Sequence, residues 1–194
     1  MASPHLDLNA GAPPGIRQFL TTVDRFGRVD GWIGAGCLLA LTCLMLSEVI
    51  ARFLSNVFGI GPGTVPNAWE YSSYLMAAAF TFGAAMTLRG GAHIRVTVLL
   101  ANVGPRLKRA LEIVSSAVAF LAMGYLAVSM AIFTWNSYAR GQVSIASGTI
   151  VWPPMALVTI GMMLLTLQFL ARAIRAGLGL QLDDPTMRAS NPVE

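Results

Sequence analysis

Residues 31–54 read GWIGAGCLLALTCLMLSEVIARFL, with no charged side chain between Gly31 and Ser47. A helix needs about 20 mostly apolar residues to cross a hydrocarbon core about 30 Å thick. This run is long enough, and three more stretches resemble it. They are residues 69–88, with no charge after Glu70, residues 111–135, with none after Glu112, and residues 151–170, inside a charge-free interval from Arg140 to Arg172. In lipid every backbone N–H and C=O must be satisfied within its own segment, so such runs are helices rather than isolated strands. Pro153 and Pro154 suit the first turn of the fourth helix, where a missing N–H costs little. The expected fold is an all-α integral membrane protein with four transmembrane helices and short interfacial helices.

The composition agrees. Of 194 residues, 55% are hydrophobic and 11% charged, with mean hydropathy +0.64. Soluble domains carry roughly a quarter charged residues. This hydrophobicity excludes a disordered chain, and two cysteines exclude a disulfide scaffold. The first run has about thirty residues before it and is far longer than a signal's central region. It is expected to stay in the membrane.

Charge sets the expected orientation. Eleven of the thirteen Lys and Arg residues flank the runs on one side, in the N-terminal part, the middle connection and the C-terminal part. Only Arg52 and Arg140 belong to the other side. The positive-inside rule then puts both termini in the cytoplasm of a bacterial inner membrane. Net charge +4 follows from the same bias. Nucleic acid is not an expected partner, because no basic stretch is interleaved with stacking aromatics. Membrane lipid is.

Between the runs the chain changes character. Residues 1–15 are rich in Pro, Gly and Ala and read as a loose tail. Ile16, Phe19, Leu20, Val23 and Phe26 then recur at helical spacing. They suit either an interfacial helix or an extension of the first span. The domain expected to lie in and against the membrane is residues 16–176. Ser55 to Ala68 is a Gly- and Pro-rich turn. Residues 93–103 suit a short interfacial helix, ended by Gly104-Pro105, and Pro105 can open the third helix. From Gly177 to Glu194 the chain reads as a second tail.

Few residues offer chemistry. Glu48 and Arg52 stand four apart near one end of the first span, the favourable order for an intrahelical pair. A structural pair is the simpler reading, and an ion-transport role the sharper one. Trp69 and Glu70 open the second span, an interfacial Trp and an acid near a helix N-terminus, or a docking contact. Arg89 ends that span, and His93 follows at the headgroup level. His5, in the tail, is the one other histidine, so a haem held by two histidines within this chain is disfavoured. Cys37 and Cys43 form no Cys-x-x-Cys motif and read as buried small hydrophobes. There is no phosphate-binding Gly-rich loop and no nucleophile elbow. No catalytic residue, cofactor or metal site is expected, and the chain is not expected to be an enzyme. Ala77, Ala78, Ala79, Gly83, Ala84 and Ala85 in the second span, and Gly34, Gly36 and Ala40 in the first, suit close helix packing.

The order of these features resembles the small membrane subunit, or Q-type small permease, of tripartite ATP-independent periplasmic (TRAP) transporters. The stretch that carries the likeness runs Trp69-Glu70, Tyr74-Leu75, Phe82-Gly83-Ala84-Ala85, Arg89 and Ala92-His93-Ile94-Arg95-Val96. Arg52 takes the place of the family's Arg at the end of the first span. Ser144 to Gly161, with its Pro pair, is similar to the start of the fourth span. The likeness covers Gly31 to Arg175. Two positions depart from it: Glu70 stands without a second adjacent acid, and Thr97 takes the place of a common Asp. The resemblance implies a scaffold beside a large permease subunit, in sodium-coupled uptake of an organic acid delivered by a periplasmic binding protein. Glu48, Arg52, Trp69, Glu70, Arg89 and His93 are then structural or docking candidates. Two other readings of the same residues are the membrane anchor of a redox enzyme and an independent four-span channel or carrier.

Overall fold

The computed structural model describes residues 11–89, 104–145 and 147–180. They form four helices: α1 (Pro14–Phe58), α2 (Ala68–Arg89), α3 (Pro105–Ala139) and α4 (Trp152–Leu178). Proline and glycine set several boundaries. Prolines occupy the first turns of α1, α3 and α4. Gly59 and Gly179, at φ of +66° and +71°, end α1 and α4 in the left-handed conformation that lets their N–H groups reach the last carbonyls. The fold is all-α. The one β-type pairing among the described residues is the bridge between Val143 and Ile150, in the connection from α3 to α4.

α1 is a single uninterrupted helix of 45 residues, so the segment after Gly15 extends the first span. At 1.5 Å per residue α1 is about 68 Å long, more than twice the hydrocarbon thickness. Among the described residues α1, α3 and α4 are long and apolar enough to cross a membrane. α2, with 22 residues, is not among these three, although the sequence reads as four spans. Tyr71, Ser72, Ser73 and Tyr74 and a run of small residues dilute its apolar character. The interfacial helix expected at 93–103 falls outside the described residues.

α4 is the hub, packing against each of the other three helices, and α1 also lies along α2. The central cluster joins Cys37, Ala78, Ala79, Phe82, Ala127, Val158 and Met162. Small residues let the backbones meet there. A Cβ on Gly34 would lie 3.1 Å from the backbone N of Gly83, and one on Gly161 would lie 2.5 Å from Thr81 Oγ1. α2 is thus pinched between α1 and α4. Gly36 and Ala40 face outward, unlike Gly34, and an added Cβ at Gly36 meets nothing. Cys43 is exposed, which corrects its reading as buried, while Cys37 is buried.

A second cluster, Leu20, Val23 and Ala171, brings the start of α1 against the end of α4. The helices therefore run up and down, with the first and last described residues at one end.

Candidate functional site

Polar side chains gather at the two ends of the bundle. At the end carrying the connections 59–67 and 140–151, Glu48 and Arg52 form the intrahelical pair that their spacing suggests, Arg52 Nε to Glu48 Oε1 at 2.8 Å. The carboxylate does more than this. Its second oxygen accepts the backbone N–H of Val65 at 2.6 Å, so Glu48 fastens the α1–α2 connection to α1. The Glu48 side chain is 13% exposed and the Arg52 side chain 62%, so Arg52 reaches outward from a held partner.

Trp69 and Glu70 separate in the structure. Trp69 is 85% exposed on the outer surface of α2. Glu70 turns inward, where Tyr74 Oη donates to its Oε1 at 2.9 Å. Ser144 and Ser147 of the α3–α4 connection face the same carboxylate. Oε2 is buried and accepts no hydrogen bond of good geometry. That connection is itself ordered. Ser144 N–H donates to Thr149 O at 2.8 Å, Val151 N–H to Gln142 O at 3.2 Å, and Ser137 Oγ to Gln142 Oε1 at 2.7 Å. Two acids on two helices thus each face one connection at this end of the bundle. Arg89 is the last residue of α2, and His93 lies outside the described residues.

The opposite end holds an arrangement that sequence reasoning missed. Arg172 and Arg175, read as part of a basic C-terminal segment, lie within α4 at 6% and 4% exposure. Arg175 Nη2 sits 2.7 Å from both carboxylate oxygens of Asp24 on α1. Arg172 donates to Leu88 O at the end of α2 (3.1 Å) and to Glu112 of α3 (3.4 Å). Gln168 Nε2 reaches Val23 O at 3.0 Å. Arg109 of α3 caps the end of α4, bonding Ala176 O at 3.0 Å and Gly177 O. Two arginines therefore sit at helix C-termini, where the carbonyls and the dipole favour a cation. Gln168, Arg172 and Arg175 are spaced four and three, one face of a helix. That spacing was the available signal, since polar residues on one stripe of a span usually turn toward other protein.

Within the membrane-spanning parts the hydroxyls are used locally. Thr81, Thr159 and Thr166 donate to carbonyls of their own helices, and Thr134 and Thr159 meet at 2.9 Å between α3 and α4. Among the described residues no group of three or more His, Cys, Asp or Glu could hold a metal ion.

Comparison with known proteins gives one match. The family model described as "Tripartite ATP-independent periplasmic transporters, DctQ component" matches residues 41–177, well over half of the chain. No curated protein and no solved structure matches it.

Proposed function

The chain belongs to the DctQ component of the tripartite ATP-independent periplasmic transporters, and from that premise we propose that it is the immobile membrane brace of such a transporter. It is a multi-pass membrane protein with a transport role, not an enzyme. In this reading a large permease subunit carries the substrate and moves against the brace. A periplasmic protein delivers an organic acid, and sodium drives uptake. All four helices cross the bilayer within residues 16–176, flanked by tails at 1–15 and 177–194. α2 crosses because its neighbours supply the apolar surroundings that it lacks alone. Both termini face the cytoplasm, as the arginine distribution favours.

One observation carries the proposal. Asp24, Glu112, Arg172 and Arg175, buried at the termini end, are engaged in holding helices together, while α1 and α3 leave long apolar faces uncovered. On α3 the face runs through Val114, Val118, Leu121, Tyr125, Val128 and Ile132, each at least 58% exposed. A carrier with its own transport path needs polar groups turned toward a substrate. A brace needs rigidity and free apolar surface.

In this reading Glu48 and Glu70 hold the two connections in shape, and Arg52 and Trp69 meet a partner on the outer surface. Arg89 and His93 serve at the headgroup level. Uptake of a labelled organic acid into sodium-free proteoliposomes placed in a sodium-containing medium tests the whole. The chain alone gives no uptake, and adding the large subunit and the binding protein gives sodium-dependent uptake. Uptake by this chain alone would overturn the proposal.

A further inference from the structure

The inward face of α1 near its start is taken by Val23, Asp24, Gly27, Asp30 and Gly34, all buried. Both acidic residues of this stretch are on that face, Asp24 against Arg175 and Asp30 at 1% exposure. The outward face, at steps of three and four, presents Arg25, Arg28, Trp32, Gly36 and Leu39. Arg25 and Arg28 are exposed and make no ion pair among the described residues. Trp32 is 82% exposed and Leu39 is 67% exposed. Gly36 leaves a notch one turn beyond Trp32. Charge is therefore segregated across the helix, positive outward and negative inward.

Along its length this outward face is basic, then aromatic, then apolar. We infer that it binds an anionic phospholipid, with Arg25 and Arg28 on the phosphate, Trp32 at the glycerol level and the acyl chain along Gly36 and Leu39.

The dimensions suit this occupant. From Trp32 to Leu39 the helix rises about 10 Å, which fits within half of a hydrocarbon core of about 30 Å. Guanidinium groups match phosphate oxygens in pairs, and Trp favours the membrane–water boundary. A soluble acidic protein would match the arginines but not the apolar continuation. A transmembrane helix would match the apolar part but would need its own acids beside Arg25 and Arg28. Two cations without an ion-pair partner among the described residues favour an anionic headgroup over a zwitterionic one, whose ammonium group they would repel. All five residues precede the family-matched segment 41–177, and the test below reads lipid contact rather than uptake, so its outcome does not depend on the brace reading.

The test uses the full chain in phosphatidylcholine vesicles containing a small fraction of brominated phosphatidylglycerol or of brominated phosphatidylcholine. Bromine quenches tryptophan fluorescence on contact, and the signal lost in Trp32→Phe is that of Trp32. Brominated phosphatidylglycerol is expected to quench Trp32 with a preference on the order of tenfold, given what each basic residue contributes near an anionic surface. Salt lowers the preference, added inorganic phosphate does not compete, and Arg25→Gln with Arg28→Gln abolishes it at unchanged helicity. Lysine at both positions keeps part of it. Equal quenching by the two lipids, a preference that survives the double glutamine variant, displacement by inorganic phosphate, or an unquenched Trp32 would each overturn the inference.

Discussion

Arg175 and Arg172 stand three residues apart on α4 and serve different helices. Arg175 ties α4 to α1 through Asp24, and Arg172 ties α4 to α2 and α3 through Leu88 O and Glu112. Removing one member of a buried pair strands the other charge, at a cost of about 3–5 kcal/mol. Arg175→Ala and Asp24→Ala should each lower the unfolding midpoint of the purified chain strongly. The double alanine change should cost clearly less than the two single losses together. Simple additivity in that cycle would show that the pair contributes little. The glycines make a second residue-scale case. Gly161→Ala drives a methyl to 2.5 Å from Thr81 Oγ1, so it should destabilise by about 1–3 kcal/mol, partly relieved by Thr81→Ala. Gly36→Ala meets nothing and should leave the midpoint near wild type. Equal effects at the two glycines in thermal melts would contradict the packing described. The sequence marked Gly34 and Gly36 alike as suited to close packing, and the fold decided that Gly34 touches a neighbour and Gly36 does not.

At the scale of elements, the long α1 is anchored at several points. Its start is pinned to α4 by Leu20, Val23, Ala171 and the Asp24–Arg175 pair. Its middle lies on α2 at Gly34. Near its end, Glu48 holds the following connection through Val65 N–H. Glu48→Ala should speed amide hydrogen exchange at Val65 by on the order of tenfold, the loss expected for one charge-assisted hydrogen bond. Arg52→Ala should change it far less, because the Glu48–Val65 bond does not need the guanidinium. An unchanged Val65 rate in Glu48→Ala, followed by mass spectrometry in detergent, would count against the clasp. The Glu48–Arg52 pair was legible from its i, i+4 spacing. The bond to Val65 joins residues 17 apart, across a turn whose path no local pattern specifies.

For the molecule as a whole, four helices held by their own contacts and wide apolar faces suit a static part of a larger machine. In an assembled transporter, Arg52→Ala and Glu70→Ala should weaken co-purification of the large subunit or docking of the binding protein. The order in which candidate organic acids are taken up should stay as it is. A changed substrate order with intact assembly would move the transport path into this chain. Reporter fusions at the two termini should both signal cytoplasmic placement. Opposite signals would show an odd number of crossings and remove α2 from the spans.

The sequence by itself determined the four apolar runs that become the four described helices, because charge-free runs and Pro or Gly breaks leave the backbone few alternatives in a low-dielectric medium. It also carried the family likeness, through Trp69 to Leu99 above all. It did not determine which way each helix faces. In water an apolar stripe marks the side that turns inward, but lipid is as apolar as a helix neighbour, so Leu39 outside and Leu165 inside carry no distinguishing mark. Only the tertiary structure decided that Gly34 touches α2 while Gly36 does not, and that Glu70 turns inward while Trp69 turns out. The same holds for Arg172 and Arg175, which join helices instead of lining a surface. Those choices depend on close packing and on matching buried charges across positions up to 151 residues apart.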